Sequence, residues 1–330
     1  CLKSIVKLSI SFCLFNPLCK ISASLTELRM KFFERFVSTK FTNFASLLQQ
    51  KLPQFIQLTR LNRPIGIFLL FWPTITSLWI ASEGLPEVLL LIIFSLGTIL
   101  MRSAGCCIND FADYEIDGKV RRTQERPIVM KKLSRREALG CFIFLSSISF
   151  CLLLFTNLET IMLSFLAVLV IVIYPFMKRY TNLPQIVLGV AFSWGILMAF
   201  TSTLGNIPPI AYLLFIANVL WTVAYDTQYA MVDREYDLEV GVKSTAILFG
   251  DSDRVMIGIL QIGFILTFIL IAVYLQYSII FYSSIFIASL LLLYQQYLIK
   301  DRIPELCFNA FLNNNWVGAI IFLGTVSSYI

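Results

Sequence analysis

Two acidic runs in this chain combine residue types and spacings able to do chemistry. The first holds Asn109, Asp110, Asp113 and Asp117; the second holds Asp226, Asp233 and Asp237. On a helix, Asp110, Asp113 and Asp117 fall at i, i+3 and i+7, so their carboxylates line one face, and Asp233 and Asp237 do the same at i and i+4. Like charges packed in this way repel one another unless a cation sits among them. Hard oxygen donors in this number suit Mg²⁺, which takes a few carboxylates and leaves its other positions to water and substrate phosphate. Two such clusters facing each other would hold a diphosphate through metal bridges.

Cationic side chains accompany both runs. Gly118 permits a turn out of the first acidic helix and Pro127 discourages a return, which leaves Arg122 and Arg126 on a loop able to bind phosphate oxygens and close over the site. Lys178 follows a later apolar run. Lys243, with Ser244 and Thr245, follows the second acidic run and offers a further cation and two hydroxyls. Arg60 and Arg63 precede Pro64, a residue suited to the first turn of a helix, and fit as headgroup anchors. Arg102 lies inside an apolar run, seven residues before Asn109 and so about 10 Å deeper on the same face. At that depth it must face the bundle interior and an anion, either a substrate group or an acid such as Asp226. The chain has no histidine, so His-ligated metals and His-dependent triads are excluded. Its 8 cysteines form no CxxC pair and read as small apolar packing residues.

The elements that must position these groups are membrane spans. The chain is 58% hydrophobic and only 14% charged, outside the range of soluble domains. Nine apolar runs are long enough to cross a bilayer, at about 64–82, 87–108, 138–156, 160–177, 184–204, 208–227, 254–275, 278–299 and 311–330. The fold expected is an all-α polytopic bundle of about nine helices. Lys and Arg crowd alternate loops, while Ala81–Pro86, Thr156–Glu159, Thr201–Pro209 and Leu275–Ser278 contain neither. By the positive-inside rule, the N-terminus and both acidic runs are cytoplasmic. The net charge of +6 therefore serves topology and contact with membrane lipid, not nucleic acid. Residues 1–29 read as an extension or upstream segment before a start at Met30, 30–60 as an amphipathic segment, and 61–330 as the membrane domain. The acidic runs end spans two and six, an echo that fits two parallel four-helix halves plus one helix.

Taken together, these motifs resemble the UbiA superfamily of intramembrane prenyltransferases. Asn109-Asp110-xx-Asp113-xxx-Asp117 is similar to its first signature and Asp233-xxx-Asp237 to its second. Arg63-Pro-Ile-Gly, Arg102-Ser-Ala-Gly-Cys, Arg122-Thr-xx-Arg126-Pro, Tyr174-Pro-Phe-Met-Lys178-Arg179 and Lys243-Ser-Thr-Ala look like its hydroxybenzoate-using branch, and the stretch from Tyr225 to Arg234 looks like the bacterial form. Tyr114 departs from the pattern, standing where many bacterial relatives carry a basic residue.

The resemblance implies Mg²⁺-dependent transfer of a polyprenyl group from polyprenyl diphosphate to the ring carbon ortho to the hydroxyl of 4-hydroxybenzoate, a membrane step of ubiquinone biosynthesis. It implies metal binding by Asn109, Asp110, Asp113, Asp117, Asp233 and Asp237. Arg122, Arg126, Lys178 and Lys243 are expected to help with the diphosphate, and Arg63 or Arg102 to hold the acceptor carboxylate. The location implied is a bacterial inner membrane with the site facing the cytoplasm, or a mitochondrial inner membrane. Other acceptors (haem, naphthoate, chlorophyllide) remain within the enzyme class, and a cation-coupled transporter is the alternative from another class.

Overall fold

The computed structural model describes residues 49–119 and 122–330, and Gln54–Ile330 forms one compact unit. The segment 1–29, the start at Met30 and most of 30–60 lie outside the described residues. Residues 49–58 are helical; eleven further α-helices and one short 3₁₀ turn follow, with no strand among the described residues. The long helices are α1 (Ile65–Ala81), α2 (Val88–Asp117), α3 (Arg135–Leu153), α4 (Leu158–Tyr180), α5 (Pro184–Leu204) and α6 (Pro209–Val232). Two short helices follow, α7 (Arg234–Val240) and α8 (Thr245–Phe249). Then come α9 (Asp253–Tyr274), α10 (Ile279–Leu298) and α11 (Pro304–Ser327). Each of the nine expected spans corresponds to one long helix. Eight segments are long and apolar enough to span a bilayer, and α1, with 17 residues, is shorter.

Lipid offers no partner for backbone polar groups, so apolar runs of this length satisfy themselves as helices. Their ends are written locally. Ser134 and Glu137 form a capping box at the start of α3, and Asn157 caps α4. Prolines occupy the first position of α5, α6 and α11. Gly205 ends α5 in the left-handed region, with φ 71°.

Consecutive long helices pack side by side, and α11 closes the arrangement against α1. The largest apolar core lies among α1, α5, α6, α9, α10 and α11, around Leu69, Phe200, Trp221, Tyr225, Ile271 and Phe281. Gly318 on α11 lets that helix approach α1 and α6. A Cβ there would sit 2.8 Å from the Trp72 Cβ and 2.9 Å from the Trp221 ring. Gly318→Ala is therefore expected to destabilise the bundle by about 1–3 kcal/mol, measurable as a lower melting temperature in detergent.

The structure moves two span boundaries. α2 extends past the predicted 108 to Asp117, so one continuous helix of 30 residues carries the first acidic run. At 1.5 Å per residue it is about 45 Å long, against about 30 Å of hydrocarbon, which allows its acidic last turns to lie beyond the apolar core. α11 begins at Pro304 rather than 311. Its Asn313, Asn314 and Asn315 depress local hydropathy, yet each is paired inside the bundle. Asn314 Oδ1 accepts from Trp221 Nε1 at 2.8 Å, Asn315 Oδ1 from Trp72 Nε1 at 2.9 Å, and Asn313 Oδ1 from Gln295 Nε2 at 3.0 Å. Paired amides of this kind hold spans together in lipid.

Candidate active site

The acidic face of α2 is buried: Asp110, Asp113 and Asp117 are 1%, 1% and 4% exposed. Side-chain cations of the chain itself sit among these carboxylates. Arg60 Nη2 donates to both oxygens of Asp110, at 2.8 and 3.0 Å. Arg126 Nη1 lies 2.9 Å from Asp110 and 2.5 Å from Asp117. Lys178, in the last turn of α4, donates to Asp113 Oδ2 at 2.5 Å. The other oxygen, Asp113 Oδ1, is buried without a hydrogen-bond partner among the described residues. Asn109, one position ahead on the helix, is half-buried. No group of three Asp, Glu, His or Cys side chains converges with metal-ligand spacing among the described residues.

The second run joins the first through the basic loop. Arg122 forks onto Asp233, with Nε 3.0 and 2.9 Å from its two oxygens and Nη2 in closer contact. Four residues later, Arg126 grips Asp110 and Asp117, so residues 122–126 bridge the two clusters. Asp237 is influenced by Asp233, Lys178, Arg122 and Asp113, groups drawn from both sides of the site. Burial, followed by the neighbouring Asp233 carboxylate, pushes the Asp237 carboxyl up to about 6.

The second run departs from a single helical face. The helix breaks at Asp233, which ends α6 and precedes α7 with φ −106° and ψ 7°. The Asp237 N–H still donates to the Asp233 carbonyl at 2.9 Å, so the two residues remain one turn apart across the break. The break is local: Asp233 serves as C-cap of one helix and boundary of the next.

The basic loop is anchored more firmly than a free lid. Ile128 and Leu133 are buried among Leu58, Ala104, Cys107 and Phe142, and Thr123 Oγ1 donates to the Asp117 carbonyl at 2.7 Å. Gly118 leaves α2 with φ −68°, a conformation open to any residue, so the turn does not need glycine there. At Tyr114, the Arg135 guanidinium from α3 lies 5.7 Å from the ring, after stacking 4.5 Å over Phe111.

The remaining candidates sort by position. Arg102 lies one turn before Cys106 on α2. Its Nη1 donates to Cys106 Sγ at 2.7 Å, its guanidinium carbon lies 5.7 Å from the Phe192 ring centre, and its Nε is buried without a hydrogen-bond partner among the described residues. Gly66 makes room for it, because a Cβ at position 66 would overlap the guanidinium. Asp226, on α6, interacts electrostatically with Arg102 and Arg122. Arg63 is exposed in the turn before α1.

Lys243 turns away from the carboxylates, its Nζ 3.4 Å from the Tyr180 carbonyl, while its backbone N–H donates to the Lys178 carbonyl at 3.1 Å. The two hydroxyls expected beside it serve the local fold. Ser244 caps α8, and Thr245 Oγ1 pairs with Thr227 Oγ1 at 2.7 Å.

Two residues of the site escaped the sequence reading. Arg60, read as a headgroup anchor, instead reaches Asp110; its φ of 59° falls just after the helical residues 49–58. Tyr229 lies under the Arg122 guanidinium at 4.5 Å, accepts at its hydroxyl oxygen from Arg122 Nη1, and packs 4.8 Å from Phe311. Its place at i+3 from Asp226 on the same helix face was the available signal.

A model of the UbiA prenyltransferase family matches residues 70–319. A 4-hydroxybenzoate octaprenyltransferase from Pseudomonas aeruginosa is 56% identical over 275 residues, covering 83% of this chain and 93% of that protein. One from Coxiella burnetii is 51% identical over 282 residues, covering 86% and 98%. Among solved structures, the apo UbiA homologue from Aeropyrum pernix superposes with a TM-score of 0.71 at 24% identity, over 80% of this chain and 98% of that one. A UbiA homologue from Archaeoglobus fulgidus, bound to GPP and Mg²⁺, gives 0.61 at 16% identity, over 84% and 99%. The fold, the acidic runs brought together at one end of the bundle and the matched length agree: this chain belongs to the UbiA prenyltransferase family.

Proposed function

We propose that this chain transfers a polyprenyl group from a polyprenyl diphosphate to the ring carbon ortho to the hydroxyl of 4-hydroxybenzoate, in the inner membrane of a bacterium. The observation that carries the reading is the meeting of the two carboxylate clusters at one end of the bundle, bridged by Arg122 and Arg126. The names of the relatives at 51–56% identity favour hydroxybenzoate over haem, naphthoate or chlorophyllide as acceptor. The catalytic domain in this reading is 61–330, and the arginine- and lysine-rich loops support a site on the cytoplasmic side.

The donor set fits a divalent ion: carboxylate and amide oxygens only, one of them, Asp113 Oδ1, buried and without a hydrogen-bond partner among the described residues. Asn109, Asp110, Asp113 and Asp117 from α2, with Asp233 and Asp237, would hold Mg²⁺, which supplies positive charge against the departing diphosphate. The Archaeoglobus fulgidus homologue bound to GPP and Mg²⁺ supports this choice of ion.

The chain's own cations then have two sets of partners. Without substrate, Arg122, Arg126 and Lys178 neutralise the carboxylates; with a diphosphate present, the same groups turn to its oxygens. They orient it and stabilise the charge that builds as the allylic C–O bond breaks and the diphosphate takes the bonding pair. The rings of Tyr229, Phe308 and Phe311 lie together beside Arg122 and exclude water from the electron-poor allylic carbon. Arg102 holds the acceptor carboxylate, because it is a guanidinium in the interior with an unpartnered Nε and a weakly accepting thiol as its hydrogen-bond partner. Exposed Arg63 has no comparable enclosure.

The test is prenyl transfer in membranes carrying the full chain, with radiolabelled 4-hydroxybenzoate, polyprenyl diphosphates of several lengths and Mg²⁺. Labelled product that requires Mg²⁺ and disappears in Asp110→Ala and Asp233→Ala is the expected result. Folded protein that yields no product with any donor length would overturn the hydroxybenzoate assignment.

A further inference from the structure

Asp253 opens α9 away from the carboxylates described above, yet it is 0% exposed and fully engaged. Arg302, in the turn before α11, donates to it from Nε at 3.1 and 3.0 Å and from Nη2 at 2.8 Å. Arg302 Nη2 also donates to the Asp251 carbonyl at 2.8 Å. On the opposite side Arg234 Nη1 donates to Asp253 Oδ2 at 3.2 Å. Arg302 has φ 56°, a left-handed conformation that a non-glycine residue keeps only where its surroundings impose it.

Arg234 is the residue that follows Asp233 and the first of α7. That helix has no buried residue, so apolar packing does not set its direction. Its restraints include polar ones: Arg122 on Asp233 and Arg234 on Asp253 at its start, the Asp237 N–H on the Asp233 carbonyl, the Val242 N–H on the Asp237 carbonyl at 2.9 Å, and, just past its end, the Lys243 N–H on the Lys178 carbonyl. Of these, the Arg234–Asp253 pair ties the first residue of α7 to the start of α9, while Arg122 ties Asp233 to the basic loop. Gly250, with φ 54°, turns the chain within 4.0 Å of the Arg234 guanidinium, as judged from a Cβ placed on it.

We propose that Asp253 is a positioning residue: through Arg234 it fixes the break between α6 and α7, and thereby aims Asp233 and Asp237 at the carboxylates of α2. This rests on the reading of Asp233 and Asp237 as metal ligands. A buried carboxylate stripped of its charge partners is strongly destabilising, so Asp253→Ala reports on folding as much as on the site. Arg234→Gln is the cleaner variant, since it leaves Asp253 its forked pair with Arg302.

The experiment measures Mn²⁺ binding in the presence of inorganic diphosphate by electron paramagnetic resonance, on the full chain in nanodiscs, with melting temperatures recorded alongside. Outer partners of metal ligands are worth about 10–100-fold in affinity. Arg234→Gln is expected to weaken Mn²⁺ about tenfold with its melting temperature within about 3 °C of the unmodified protein. Arg234→Lys, which keeps a cation within reach of Asp253, recovers most of the affinity, and Asp253→Asn weakens it as Arg234→Gln does. Unchanged affinity in Arg234→Gln, with affinity lost in Asp233→Ala, overturns the positioning role alone. Unchanged affinity in Asp233→Ala removes the ligand reading, and the positioning role with it.

Discussion

Asp113→Asn is expected to slow prenyl transfer about a hundred- to a thousandfold at saturating substrate, the range lost when one strong electrostatic stabiliser is removed from a reacting centre. The substitution keeps the size of the side chain and removes its charge. Asp113 is singled out because its two oxygens are in different states: Oδ2 accepts from Lys178, while Oδ1 is buried with no hydrogen-bond partner among the described residues. An orphaned carboxylate oxygen in a buried site costs stability unless a ligand uses it. With asparagine the amide offers one weaker donor oxygen, and Lys178 loses its counter-ion. Initial rates in nanodiscs at graded Mg²⁺ would show a fall in kcat that excess metal does not restore. A variant retaining more than a tenth of the rate would mean that Oδ1 faces no ligand in the reacting complex.

Arg102→Ala is expected to raise the KM for 4-hydroxybenzoate by about 30- to 150-fold, the equivalent of about 2–3 kcal/mol, and to leave the KM for the prenyl diphosphate nearly unchanged. The effect is large because the guanidinium is enclosed among Gly66, Cys106 and Phe192, where a charge pair is poorly screened. Phenol, the same ring without its carboxylate, separates binding from general damage: Arg102→Ala should process phenol no worse than the unmodified protein does. Arg63→Ala is expected to change the acceptor KM less than about threefold, as befits an exposed surface charge. Equal effects of the two substitutions would return the acceptor carboxylate to the outer turn.

The carboxylates carry a counter-charge that the i, i+3, i+7 spacing anticipated in kind but not in source. The structure pairs Asp110 with Arg60 and Arg126, Asp113 with Lys178, Asp117 with Arg126 and Asp233 with Arg122. The same side chains are therefore available as diphosphate ligands once the carboxylates acquire another cation. Lys243 shows the limit of inference from proximity in sequence. It follows the second acidic run, yet its ammonium meets a backbone carbonyl and its hydroxyl neighbours cap and pack a short helix.

What the sequence by itself determined is what local spacing and solvent transfer govern. Apolar run length sets the spans, the alternation of loops with and without Lys or Arg supports their number, and the acidic periodicity on α2 sets one buried face. It even placed Arg102 on the interior side, because an arginine at that depth cannot face lipid. The tertiary structure decided which partners meet. Arg60 and Asp110 are separated by 50 residues, Lys178 and Asp113 by 65, and Arg122 and Asp233 by 111. Such pairings depend on how each helix is rotated and tilted by the small residues and amides at its interfaces, Gly318 and Asn314 among them. The break at Asp233 is of the same kind: nothing in its immediate sequence demands it, and the long-range tie of Arg234 to Asp253 supports it.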